Sequence, residues 1–276
     1  MEQVMPMSSD AVSSDMKALI QARIKDIEAE ENIRVLFAIE SGSRAWGFHS
    51  PDSDYDVRFV YARPLEWHLS LQKKRDVVER PIDDELDISG WELAKTLQLI
   101  MGSNAVIPEW LQSPIVYSAI PEAVQDLTEF CRAALDRRSV TWHYLSLMQR
   151  QQSRLYGPDG EIRLKRYFYI LRPTLALRWM RLHAQAVAPM NMDVLVAGCD
   201  LSPAVSADLA DLTEQKKQVK ERAFTAQVPA TLSDLVEGEE TSARTWLQAT
   251  ASDKERAALW RDADRLHVKW THEAFR

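Results

Sequence analysis

The sequence predicts an α+β fold: a mixed β-sheet with flanking helices first, then a mainly helical region. Two observations carry this. Short apolar runs of strand type are concentrated before Trp91, and after it the apolar spacing changes to the three-and-four pattern of helices. A third bounds the size: 276 residues at 46% hydrophobic composition suffice for one large domain or two ordinary ones with a buried core.

The elements follow in order. Residues 1–15, "MEQVMPMSSDAVSSD", read as a flexible polar lead without the basic and apolar regions of a secretory signal. Leu19, Ile20, Ile24 and Ile27 then recur at helical spacing across 16–30. "RVLFAIE", Arg34 to Glu40, is the continuous apolar run of a buried strand, and Gly42 stops it. "DYDVRFVYA", Asp54 to Ala62, is β-branched and aromatic, entered through the Pro51-Asp52 turn and closed before Pro64. A third strand is expected over 76–80 and a fourth over 85–91, with "PIDD" turning between them.

Helices are then expected at 93–100, 104–112, 121–135, 138–155, 165–186, 203–222, 240–250 and 252–270, with the acidic stretch 231–243 as a surface connection. This places a sheet-containing domain at 16–118 and a helical domain at 119–276, with the break near 115–138. No apolar run is long enough to span a bilayer, which takes about 18 or more residues. Cys131 and Cys199 are too few and too far apart for a disulfide framework, so a cytoplasmic, membrane-free protein is expected.

The chemistry is concentrated in "ESGSRAWGFHSPDSDYDVR", residues 40–58. On a strand Asp54 and Asp56 share one face, with Cα atoms about 6.6–7 Å apart, so two carboxylates can converge on a hard cation. On the pair alone, a solvated strand edge neutralised by Arg58 is the better reading. Gly42 and Ser43 add a second feature: a glycine directly after a buried strand, opening a short helix, aims backbone N–H groups at an anion such as phosphate. Asp87 is the candidate third acid, because Leu86 and Ile88 face the core and turn it to the opposite side, while Asp52 reads as a turn acid. Gly42 to Gly47 has the opening spacing of a P-loop, but Phe48-His49 stand where Lys and Ser/Thr are required. No G-x-S-x-G surrounds Ser43, which excludes a nucleophile elbow.

"GSRAWGFHSPDSDYD" resembles the signature of the DNA polymerase β-like nucleotidyltransferases, a G-S pair followed after about ten residues by D-x-D and later by a third acid. "SPDSDYDVRFVY", "LDISGWEL", "SPIVY" and "KRYFYILRPTLALRW" are similar to its RNA repair ligase-associated branch. The resemblance extends to about Trp179 and implies a nucleotidyltransferase-type mixed sheet. It further implies two Mg²⁺ ions, with Mn²⁺ as a substitute, and an NTP donor such as ATP. In that scheme Gly42, Ser43 and Arg44 contact the triphosphate, Asp54 and Asp56 hold both metals, and Asp87 holds the catalytic one and helps activate an acceptor hydroxyl. A non-catalytic nucleotide- or RNA-binding module, partner to an RNA ligase or toxin, is the alternative it leaves.

Net charge is −7, yet residues 132–183 hold eleven cations against three acids, a local +8 that leaves −15 elsewhere. Such a segment suits an RNA or acidic protein acceptor, or pairs with the acidic remainder. Within it Lys165, Tyr169 and Arg172 fall on one helix face ahead of Pro173 and are candidates to hold the nucleotide. His143, His183, His267 and His272 show no metal-ligand spacing, so no zinc site is expected.

Overall fold

The computed structural model describes residues 11–82, 85–157, 160–220, 223–225, 227–251 and 256–276. Helix α1 (Ser14–Glu31) starts at Ser13, whose side chain accepts the Met16 N–H, and buries Ile20, Ile24 and Ile27. It leads into β1 (Arg34–Glu40), the short α2 (Gly42–Trp46), β2 (Tyr55–Ala62), α3 (Leu65–His68), β3 (Val77–Glu79) and β4 (Leu86–Glu92). Then come α4 (Leu93–Met101), α5 (Val106–Trp110) and β5 (Val116–Ala119). The strands form one sheet in the order β3-β4-β2-β1-β5. β2 and β4 are parallel, while β1 is antiparallel to β2 and β5, and β3 to β4.

Alternation divides the sheet. Val35, Val57, Phe59, Tyr61 and Ile88 pack with the α1 isoleucines on one face. Leu36, Val60 and Ala62 face the other way and join a larger core shared with the later helices. Those are α6 (Pro121–Ala134), α7 (Arg137–Gln152), α8 (Leu164–His183), α9 (Met192–Ala197), α10 (Pro203–Gln218), α11 (Ala230–Ala249) and α12 (Arg256–Glu273). Two short strands, β6 (Ile162–Arg163) and β7 (Phe224–Thr225), pair antiparallel beside the start of α8.

Pro173, expected to interrupt its helix, lies inside α8. An interior proline costs about 3 kcal/mol. Ile170, Leu171, Leu175 and Met180 around it are buried, and each such side chain returns about 1.5–3 kcal/mol, so burial wins.

Two expectations are corrected. The stretch 231–243 is not a connection but part of α11, which buries Leu232, Val236, Glu239 and Ala243 at helical spacing. Its one buried acid, Glu239, is matched by Arg178 and Arg181, which removes the reason to expose it. The strand signal also does not end at Trp91: β5 adds an edge to β1, with Ala119 opposite Phe37. Parts of the expected lead, the "PIDD" turn and the 203–222 and 252–270 helices lie outside the described residues. Among the described residues no helix is long and apolar enough to cross a membrane.

Candidate active site

β2 and β4 run side by side with Asp56 directly opposite Asp87. Tyr55, Val57 and Phe59 turn toward α1, as do Leu86 and Ile88, so Asp56 and Asp87 are directed to the other face, with Asp54 in the loop that enters β2. Arg58 continues that face, and its Nη2 donates to Asp56 Oδ1 at 3.1 Å and to Asp87 Oδ2 at 2.7 Å. Its Nη1 also donates to the Asp87 carbonyl at 2.8 Å. One guanidinium therefore ties both strands together through their acids.

Burial pushes the Asp56 carboxyl above its ordinary range; Asp87 and Asp54 push the same way, while Arg58 and Lys165 oppose them. Asp56 and Asp87, with Asp54 just before β2, offer hard carboxylate oxygens, the kind Mg²⁺ takes, and the repulsion among them is what a cation relieves. Among the described residues the three do not converge on one point and Arg58 bridges two of them, so it is their chemistry rather than their present spacing that suits the metal.

Gly42 has φ +62°, and a Cβ placed on it would stand 2.1 Å from Asp56 Oδ2. Only glycine suits both the left-handed backbone and the carboxylate pressed against it. Ser43 follows, 7% exposed, in the first turn of α2, where the Ser41 side chain makes no capping bond. The glycine–serine turn and the aspartate face are thus in direct contact.

Arg44 is placed differently from the triphosphate role expected for it. It is buried, donating from Nη2 to the Ser53 carbonyl at 2.6 Å, from Nη1 to Ala11 at 2.9 Å and from Nε to Asp54 at 3.3 Å. Its guanidinium also stacks over Tyr55, 3.9 Å from the ring centre. It braces the loop that delivers Asp54. Arg172 is likewise turned inward, 2% exposed and paired with Glu109 at 2.8 Å. Glu109 also accepts from Tyr144 at 2.6 Å, and Arg172 lies over Trp46 at 4.7 Å. The reason in both cases is that a buried guanidinium must satisfy its donors locally.

Lys165 and Tyr169 line a cavity of about 550 Å³ with Gln151, Arg163, Arg166 and Phe224. Tyr169 meets Trp46 edge-on at 5.1 Å, which joins the start of α8 to α2, and the Lys165 charge reaches Asp56. Elsewhere in 132–183 part of the charge is held by the chain itself: Arg137 donates to the Met180 carbonyl, Arg138 to those of Leu247 and Thr250, and Arg178 and Arg181 pair with Glu239. Arg132, Arg150 and Arg154 stay exposed, so pairing with the acidic remainder accounts for only part of that charge excess.

The spacing of residues pointed to neither Glu40 nor Tyr117. Glu40 is fully buried at the end of β1, accepts the Asp56 N–H at 2.8 Å and the Tyr117 hydroxyl at 2.5 Å. Burial pushes its carboxyl up to about 7, against those two hydrogen bonds. It holds the backbone of Asp56 from behind. A buried acid ending a strand just before Gly42 was the available signal.

A mixed sheet with a glycine–serine turn abutting an aspartate face is the arrangement of the DNA polymerase β-like class that the signature resembles. The chain belongs to the RNA repair pathway DNA polymerase beta family (RlaP), whose model matches residues 16–269. A Bacillus subtilis (strain 168) protein, YcgL, described as uncharacterized, is 41% identical over 213 residues, 77% of this chain and 81% of its own. A nucleotidyltransferase-like protein from Exiguobacterium sibiricum 255-15 is similar over 83% of this chain and 75% of its own, at 14% identity and a TM-score of 0.30, too distant to align the two sites.

Proposed function

We propose that this chain is a Mg²⁺-dependent nucleotidyltransferase that moves a nucleoside monophosphate from an NTP to a hydroxyl acceptor and releases pyrophosphate. The observation that supports the reading is the contact between Gly42 and the Asp56 carboxylate, which sets the glycine–serine turn against that acid. Asp54, Asp56 and Asp87 would hold two metals, which supply charge neutralisation to the attacking and leaving oxygens.

The remaining work falls to the chain. Gly42 and Ser43 present backbone N–H groups and a hydroxyl to the triphosphate, and Glu40 keeps Asp56 at the right depth. Asp87 takes the proton of the acceptor hydroxyl as its oxygen bonds to the α-phosphorus and the bond to pyrophosphate breaks. Lys165 and Tyr169, lining the cavity beside Asp56, receive the phosphates and base. Arg44 and Arg172 position these groups without touching nucleotide. The family description favours an RNA end as acceptor, and Arg163 and Arg166 in the same cavity suit its backbone phosphates.

Arg58 gives the non-catalytic alternative one observation of its own, since a guanidinium bridging Asp56 and Asp87 is how a metal-free binding module would neutralise them. Labelled NTPs with Mg²⁺ and a panel of RNA ends and proteins separate the two. Label transfer with pyrophosphate release, lost in Asp54→Asn/Asp56→Asn, is expected. Tight NTP or RNA binding with no pyrophosphate from any acceptor would select the binding module, and unchanged transfer in the double variant would overturn the site.

A further inference from the structure

At the other end of β4 from Asp87, three side chains from distant parts of the chain meet. His68 closes α3, Glu92 ends β4 and caps α4, and His267 lies in α12. His68 Nε2, Glu92 Oε1 and His267 Nε2 all lie within 4.8 Å of one another. Each imidazole nitrogen is 4.0 Å from Glu92 Oε1, beyond hydrogen-bond reach, and the two rings are edge to face with centres 4.7 Å apart.

All three atoms are buried and none has a hydrogen-bond partner. Buried polar atoms without partners are rare because their lost hydration is not returned, and three converging on one point call for a common explanation. An ion pair does not supply it, since the separations are too long. Neither does a shared proton, for the same reason.

We propose that His68, Glu92 and His267 bind a late first-row divalent metal ion of the Zn²⁺ type, separate from the ions of the acidic face, that fastens α12 to the end of β4. The ligand types suit it: two imidazoles and a carboxylate with one position left for solvent is a recognised zinc donor set. Ligands about 2.0–2.2 Å from a tetrahedral ion stand roughly 3.4 Å apart, so a closure of about 0.6 Å at each imidazole–carboxylate pair, and of at most about 1.4 Å between the imidazoles, completes it. The remaining atoms are arranged as outer supports. Glu92 Oε2 accepts the Ala94 N–H at 2.6 Å, which leaves Oε1 for the ion. The His68 ring donates to the backbone of Arg63, the way ligating histidines are held in register. Burial holds both imidazoles below their ordinary range, the direction that favours the neutral ring a metal takes, and pushes the Glu92 carboxyl up to about 7, which a bound cation would reverse. Glu92 lies five positions beyond Asp87 on one strand, about 16 Å at strand rise, too far for one ion to serve both.

The position gives the ion a structural task. α12 is otherwise anchored near its end by Lys269 and by Trp270 Nε1, the latter 2.9 Å from Asp126 on α6. The metal would add a tie from the middle of α12 to the sheet.

The test uses the full chain without an affinity tag. After chelation, exposure to Zn²⁺ and desalting, metal analysis is expected to find one equivalent in the wild type and in Asp54→Asn/Asp56→Asn, and none in His68→Gln/His267→Gln. The wild type should also melt higher with Zn²⁺ than after chelation, while the histidine variant should not respond. A second measurement avoids relying on the variant's folding: Zn²⁺ added to the chelated wild type should shift the imidazole NMR signals of His68 and His267, but not those of the exposed His272. Absence of a retained equivalent, an equivalent that persists in the histidine variant, or unmoved His68 and His267 signals on adding Zn²⁺ would each overturn the proposal.

Discussion

Replacing Gly42 by alanine tests the contact on which the proposed function stands. Gly42 has φ +62°, and the added methyl would stand 2.1 Å from Asp56 Oδ2 and 3.0 Å from its Cγ. A left-handed backbone costs an alanine about 1–2 kcal/mol. At about 2–4 °C per kcal/mol for a chain of this size, the midpoint should fall by roughly 2–8 °C. The methyl must also push the carboxylate away by about 1.3 Å to reach ordinary contact, and a misplacement of about 1 Å costs on the order of a hundredfold in rate. Thermal denaturation and pyrophosphate release on the same preparation give both numbers. Gly42→Ala should remain folded at the assay temperature yet turn over about a hundredfold more slowly. Wild-type rate in a folded variant, or a rate loss matched by the unfolded fraction, would refute the argument.

Arg58→Met should lose about 1.5–3 kcal/mol of stability in chelator, the worth of hydrogen bonds to charged groups, and regain part of it in Mg²⁺; an equal loss in both buffers would show that Arg58 does not stand in for a cation. Arg172→Met leaves Glu109 buried without its cation and should cost about 3–5 kcal/mol, largely recovered in Arg172→Met/Glu109→Gln. A wild-type denaturation midpoint with a raised KM for NTP would instead return Arg172 to the nucleotide-binding set. Glu40 is pushed up to about 7 from 4.5, so the folded state holds its proton more tightly: the contribution is fully present below about 4.5 and lost as pH rises through 7. That loss is on the order of 3 kcal/mol, and Glu40→Gln should remove it from the stability profile measured between those values. Glu92, also raised to about 7 by burial, leaves a residual slope of the same sign; an unchanged total slope in Glu40→Gln would show the assignment to be mistaken.

The candidate site was legible wherever its logic is local. A strand that alternates faces puts Asp54 and Asp56 together whatever surrounds it, and Leu86 and Ile88 orient Asp87 by the same rule. Gly42 is conspicuous because a glycine directly after a buried strand has few other reasons to be there. β1 spans the residues that its apolar run marked, Arg34–Glu40, for the same reason. Charge was less informative. An excess of +8 looks the same in sequence whether it faces solvent or is matched inside, and Arg172, Arg178 and Arg181 are matched inside.

What the sequence by itself determined is therefore the fold class, strands before helices, the strands that carry Asp56 and Asp87, and the family. Only the tertiary structure decided that Arg44 and Arg172 turn inward, because their acceptors come from carbonyls and a glutamate that no helical or strand period brings near. It also decided that β5 completes the sheet, that Tyr117 reaches Glu40 across 77 residues, and that His68 meets His267 from the far end of the chain. Periodicity reports which way a side chain faces, whereas pairing across long stretches of chain depends on how whole elements pack.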